Sequence, residues 1–208
     1  MSYEYDIFIS YSNHDMADYV RTILFPLIKQ EIGGTLGERN LKIFIDKIGV
    51  NSGDDWENRI KNCLIKSRIM IAILSPEYFK SEWCKKEMSF MLEKEQDLKF
   101  RCQQNPSGLI FPLKIRNQEK RYPKYVLEKI QITDIKDHSY SGINNPSIDL
   151  QREIRHWSIN VADILDLSFD YKKEWMESDW QTQAHNKYSS QLNPSIIEFP
   201  KPTLEQRS

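Results

Sequence analysis

Three short apolar runs constrain this 208-residue chain more than anything else in it: Ile7 to Ile9, Leu41 to Ile45 and Ile69 to Leu74. A strand wetted on one side alternates polar with apolar residues. These runs barely alternate, so each strand is expected to be covered on both faces, as in a parallel sheet flanked by helices. Strands are predicted at Tyr5 to Ser10, Leu41 to Ile45, Ile69 to Leu74 and Leu109 to Leu113, with a weaker fifth near Lys129 to Thr133. Pro112 lacks an amide donor and marks a strand end or an edge.

Helical signals fill the gaps between the strands. Ser12 with Asp15 reads as a capping pair for a helix to about Lys29, broken by Gly33, Gly34 and Gly37. Asp54 and Glu57 open a second helix whose stripe of Trp56, Ile60 and Leu64 faces the core. Ser75 and Pro76 lead out of the third strand into a helix carrying Trp83, Glu87, Met88, Met91 and Leu92, and Ser147 caps a last one with Ile154, Trp157, Val161 and Leu165 on one stripe. Arg116 to Lys124 reads as a solvated basic loop. Alternating strands and helices predict an α/β, flavodoxin-like five-stranded parallel sheet of order 2-1-3-4-5 with a C-terminal extension. The domain is expected over residues 1–168. Residues 169–208, with Tyr171, Trp175 and Trp180 among charges, are too few to fold alone and read as a segment that packs back or binds a partner.

Composition narrows the function. Hydrophobic residues make up 39%, charged residues 28%, and the net charge is -1, which offers no basic field for nucleic acid. No apolar run approaches a membrane span and the start lacks a signal-peptide pattern, so a cytoplasmic protein is expected. Cys63, Cys84 and Cys102 show no paired spacing, and His14, His138, His156 and His185 are scattered, so neither disulfides nor a metal site is predicted. Cys84 reads as a small buried residue.

In a sheet of this order, ligands sit beyond the carboxyl ends of the strands, between the first and third. Those ends here are Ser10 to Asn13 and Ser75 onward, with the glycine-containing loop Lys47 to Gly53 alongside. No GxGxxG, P-loop or GxSxG motif follows a strand, which leaves out the usual dinucleotide cradle, nucleoside triphosphate site and serine hydrolase. A phosphorelay receiver would need acids where Ser10 and Ser75 stand. What remains is Glu87, four residues after Trp83 and therefore on the same helical face. The pair reads either as packing or as an acid beside an aromatic plate. In the second case one carboxylate suits cleavage of a glycosidic bond to a leaving group that departs neutral, because an anion near the sugar stabilises an oxocarbenium-like transition state.

The motifs YDIFISYS (Tyr5 to Ser12), FID followed by a loop and GDDW (Phe44 to Trp56), SRIMIAILSPEYFKSEWCKKE (Ser67 to Glu87) and FPL (Phe111 to Leu113), in this order, resemble the Toll/interleukin-1 receptor, or TIR, domain over roughly residues 3–167. The resemblance implies the flavodoxin-like fold and makes Lys47 to Gly53 the family's BB loop. Some TIR domains are scaffolds that recruit other TIR domains; others consume NAD+, hydrolysing or cyclising it, through a glutamate in a WxxxE pattern. Trp83 and Glu87 match that pattern. The resemblance therefore implies Glu87 as catalytic, Trp83 beside the nicotinamide or ribose, and Ser10, Tyr11, Ser12, Asp46, Gly53 and Ser75 lining the pocket. Where some relatives have an arginine near Ser12, this chain has a small hydroxyl. NAD+ is then a substrate, with no cofactor. The implied partners are further copies of the chain, meeting through TIR contacts that include Lys47 to Gly53, and a separate effector sensing an ADP-ribose-derived signal in prokaryotic antiphage immunity.

Overall fold

The computed structural model describes residues 2–12, 16–37, 40–45, 56–116, 121–138 and 146–194. Five strands form one parallel sheet: β1 Tyr5–Tyr11, β2 Ile43–Ile45, β3 Ser67–Leu74, β4 Ile110–Lys114 and β5 Thr133–Asp134. Their order is β2-β1-β3-β4-β5, the flavodoxin-like arrangement that the apolar runs require. At its centre Ile7 lies opposite Ile69, Phe8 opposite Met70 and Ile9 opposite Ile71. Consecutive strand residues point to opposite faces, and all six are shut from water, so both faces are covered.

The helices are α1 Ala17–Tyr19, α2 Phe25–Leu36, α3 Trp56–Ile65, α4 Glu82–Asp97, α5 Lys124–Lys129, α6 Ile148–Asp166 and α7 Ser178–Tyr188. A π turn at Val20–Leu24 joins α1 to α2. Ser147 caps α6 by accepting from the Leu150 amide at 3.1 Å, and Trp157 is buried as its stripe predicts. Ile60 and Leu64 of α3 are buried; the Trp56 side chain, Asp54 and Asp15 lie outside the described residues.

Several elements depart from the sequence expectations, each for a local reason. The first helical stretch does not stop near Lys29; it continues through Gly33 and Gly34 to Leu36 and ends at Gly37, whose φ of 66° is left-handed. Each internal glycine costs about 1 kcal/mol against alanine, and tertiary packing offsets this. Ile28 and Ile32 are buried, Thr35 meets Ser158 of α6 at 2.9 Å, and Glu31 accepts from Arg155 at 2.9 Å. Between β3 and α4 a 3-10 turn, Tyr78–Lys80, intervenes, and Ser81 caps α4 by accepting from the Cys84 amide at 3.3 Å.

The fifth strand is shorter and later than Lys129 to Thr133, because Lys124 to Lys129 is helical after Pro123 and only Thr133 and Asp134 pair with Leu113 and Lys114. Pro112 sits within an interior strand, opposite Ala72. The Ile115 amide donates to Leu74 of β3 and the Lys114 carbonyl accepts from Ile135, so by alternation the Pro112 nitrogen points toward β5. That strand has not yet begun at this level, so no donor is missed.

The start of β4 is fixed by a buried ion pair. Glu95 takes Arg101 with both oxygens, at 2.7 and 2.9 Å, and also accepts the amides of Leu109 and Ile110 at 2.5 and 3.0 Å. A methyl group at Gly108 would stand 1.9 Å from Arg101 Nη2, so only glycine fits beneath the pair.

After Phe169 the chain turns back over α4. Trp175, in a 3-10 turn at Lys173–Met176, is 0% exposed, and its indole N–H donates to Asp97 at 2.9 Å. Lys94, also 0% exposed, points its ammonium at the Trp175 ring, 4.7 Å away, and the Tyr3 ring, 4.6 Å away, and donates to the Ser67 carbonyl at 2.5 Å. Burial, helped by the charge of Arg68, holds the pKa of Lys94 well below the lysine range. Further along, Trp180 of α7 stacks edge-on to Phe90 of α4 at 5.0 Å, and Asn193 accepts from Lys85 at 2.9 Å.

Candidate active site

The carboxyl ends of β1 and β3 lie side by side, Ser10 opposite Ala72 and Tyr11 opposite Ile73. Ser10, Tyr11, Ser12 and Ser75 are all buried there. Because β1 points successive side chains to opposite faces, Ser10 and Ser12 share a face and Tyr11 takes the other. The 3-10 turn and the Ser81 cap launch α4 so that its second turn passes over the Ser10 face. Glu87 is thereby brought, 4% exposed, onto Ser10, whose hydroxyl donates to Glu87 Oε2.

Ser10 spends its only proton on Glu87, so the Tyr78 hydroxyl, 2.8 Å from Ser10 Oγ, must be the donor to it. Burial pushes the Tyr78 phenol well above its usual pKa, and Cys84 and Glu87 add to the shift while the bond to Ser10 opposes it. A phenol that keeps its proton is the right end for this chain of donors, Tyr78 to Ser10 to Glu87. Tyr78 is absent from the sequence-derived site. The segment SPEYF shows a strand exit but not which way its tyrosine turns.

Trp83 precedes Glu87 by one turn of α4, and both line a cleft of about 270 Å3. Lys86 stands over the Trp83 ring at 5.9 Å. The floor is apolar, with Ile60 and Leu64 of α3 and Phe90 of α4. The remaining wall comes from α7 through Gln181, Thr182 and His185. Sequence reasoning missed that wall, since nothing local relates residue 185 to residue 87.

The other expected residues fare differently. Ser12 Oγ is buried without a hydrogen bond among the described residues. Ser75 acts through its backbone, accepting the Tyr78 amide at 3.0 Å to close the turn. Asp46, Gly53 and the Lys47 to Gly53 loop lie outside the described residues. Cys84 is buried, one turn from Glu87's neighbour Met88. Among the described residues no helix is long and apolar enough to cross a membrane.

A family model described as TIR domain matches residues 7–147. The chain belongs to the TIR domain family. From Ile7 of β1 to the end of α4, Ser10 and Glu87 included, the chain falls inside the matched span, whereas α7 falls outside it. Similar curated proteins are of two kinds. "NAD(+) hydrolase TcpA" of Theionarchaea archaeon is 33% identical over 94 residues, 45% of this chain and 26% of the relative. "2' cyclic ADP-D-ribose synthase AbTIR" of Acinetobacter baumannii is 28% identical over 166 residues, 78% of this chain and 49% of the relative. "Toll-like receptor 6" of Bos taurus is 40% identical over 88 residues, 42% of this chain and 10% of the receptor. The chain thus spans half or less of the length of these relatives.

Proposed function

We propose that this TIR domain cleaves the bond between nicotinamide and ribose in NAD+, with Glu87 as the catalytic carboxylate. One observation carries the reading: a buried glutamate at the carboxyl edge of the sheet, bonded by Ser10 and flanked by Trp83 in a cleft. The names of two relatives, an NAD(+) hydrolase and a cyclic ADP-ribose synthase, agree with it.

The chemistry asks for little more. The bond from ribose C1′ to the pyridinium nitrogen breaks with both electrons going to nitrogen, so nicotinamide departs neutral and needs no general acid. Positive charge grows on C1′ and the ring oxygen, and the Glu87 carboxylate stabilises it. Ser10 and Tyr78 hold that carboxylate in one rotamer, so no reorganisation is needed as the charge develops. Trp83 provides a flat face for the sugar or the leaving ring. Attack on C1′ by water gives ADP-ribose and a proton; attack by a nucleophile of the same molecule gives a cyclic product. An ADP-ribose-derived product used as an antiphage signal for a separate effector, made by copies that associate through Lys47 to Gly53, is the biological setting we propose.

The decisive test is nicotinamide release from NAD+ by purified protein at high concentration, with products identified by mass spectrometry, beside Glu87→Gln. Loss of one electrostatic stabiliser predicts a fall of about 100-fold or more in turnover. Equal release by both proteins would falsify the role of Glu87. Absence of release from the wild-type protein under all assembly conditions favours a scaffold that acts by TIR association alone.

A further inference from the structure

Helix α7, which lies beyond the matched family span, lines the same cleft as Glu87. Three residues of α7 line it, Gln181 and Thr182 and, one turn later on the same side of the helix, His185. The helix is held in place from below by Trp175 and Trp180 and from its far end by Asn193 on Lys85. It is therefore a fixed wall.

His185 is the unusual member of that wall. Its Nδ1 is buried and makes no hydrogen bond among the described residues. Burial lowers the pKa of the ring and the charge of Lys86 lowers it further; Glu82 opposes, and Lys85 adds a smaller lowering. The imidazole is thus neutral at physiological pH, with one proton for two nitrogens. A buried bare acceptor is tolerated better than a buried bare N–H. The proton accordingly sits on Nε2, leaving that nitrogen as a donor on the partly open side of the ring. Around it the cleft offers Lys61 and Lys86 as cations, Glu57 and Glu87 as carboxylates and Trp83 as a flat surface. A neutral donor between charges of both signs, on an apolar floor, fits an oxygen of a polar aromatic ligand.

We propose that the C-terminal helix is part of the substrate site and that His185 donates from Nε2 to a ribose hydroxyl or carboxamide oxygen at the nicotinamide end of the dinucleotide. This rests on the NAD+ reading of Glu87, but it assigns substrate binding to a residue outside the TIR match. His185 is a binding residue and takes no part in bond cleavage.

The test combines binding and turnover. NAD+ is titrated into the full chain carrying Glu87→Gln, with the His185 imidazole followed by NMR, and affinity is compared for His185→Ala and His185→Asn in the same background. Steady-state nicotinamide release is measured with Glu87 present, and urea unfolding checks that each variant is folded. The expected result is a shifted His185 Nε2 resonance, a roughly tenfold loss of affinity in His185→Ala, as loss of one hydrogen bond implies, and partial recovery in His185→Asn. KM should rise by a similar factor with a smaller change in kcat. Normal cleavage with an unchanged KM in His185→Ala overturns the inference and leaves the Glu87 reading intact. NAD+ binding weakened by His185→Ala in a chain that never cleaves it overturns the Glu87 reading and keeps this one. No binding of NAD+ at all overturns both.

Discussion

Replacing Trp175 by alanine tests whether the segment after Phe169 is part of the fold or an appendage. The indole is fully buried, bonded to Asp97, and ringed by Tyr171 at 5.7 Å, Trp180 at 6.2 Å and Tyr3 at 6.5 Å. Truncating a buried tryptophan costs about 3–5 kcal/mol through lost transfer and the cavity left behind. The Asp97 bond contributes about 1.5–3 kcal/mol because its acceptor is charged. Lys94 loses one of its two ring faces, worth about 0.5–2 kcal/mol. These contributions overlap, so a loss of about 5 kcal/mol is the expected total, a large share of the roughly 5–15 kcal/mol that holds a domain together. With a urea slope of about 2–3 kcal/mol/M, the unfolding midpoint should fall by roughly 2 M. Trp175→Phe keeps the ring and drops the N–H, so it should sit between the two. A midpoint within about 0.5 M of wild type, or a separate early transition for the extension alone, would show that the extension does not share the core's cooperativity.

Three further outcomes follow from the same contacts. Lys94 is protonated less readily in the fold than in the unfolded chain, whose pKa is near the ordinary 10.5. The unfolded state therefore binds more protons between the depressed value and 10.5, and stability should rise with pH across that window by at most about 1.4 kcal/mol per pH unit; urea midpoints of Lys94→Met, which cannot titrate, should lack this slope relative to wild type. Gly108→Ala should cost about 2–4 kcal/mol by driving Arg101 off buried Glu95, while adding it to Arg101→Ala should cost little more, as a double-mutant cycle in urea would read. Ser10→Ala removes the Ser10 donor from Glu87 and should lower nicotinamide release about tenfold with about 1 kcal/mol of stability lost; unchanged release would remove the donor chain from the mechanism.

How far the sequence carries is visible in particular residues. Ile7 to Ile9 and Ile69 to Leu74 disclose the sheet because burial on both faces leaves no polar position to hide the signal. Trp83 and Glu87 are legible as a pair because four residues make one helical turn. Thr133 and Asp134 carry no comparable signal: a two-residue edge strand has too few positions for a period, and the apolar Ile130 and Ile132 nearby draw attention to the wrong place. Gly33 and Gly34 look like breakers, yet contacts from α6 some 120 residues away keep the helix intact. Ser10 meeting Glu87, and His185 lining its cleft, are long-range events that no local pattern encodes.

The buried polar character of α4 has a consequence for how this protein tolerates change. Judged by its composition, EWCKKEMSFMLEKEQD is a surface helix that should accept almost any helix-forming residue. In place, Lys85, Glu87, Ser89, Lys94 and Glu95 are all shut from water and committed to partners: Asn193, Ser10, the helix's own backbone, Ser67, and Arg101 with the amides that open β4. A saturation library across the chain should therefore find α4 as intolerant as β3, with charge-preserving exchanges such as Lys to Arg or Glu to Asp failing there as often as apolar ones, because reach and geometry rather than charge alone are what those positions demand.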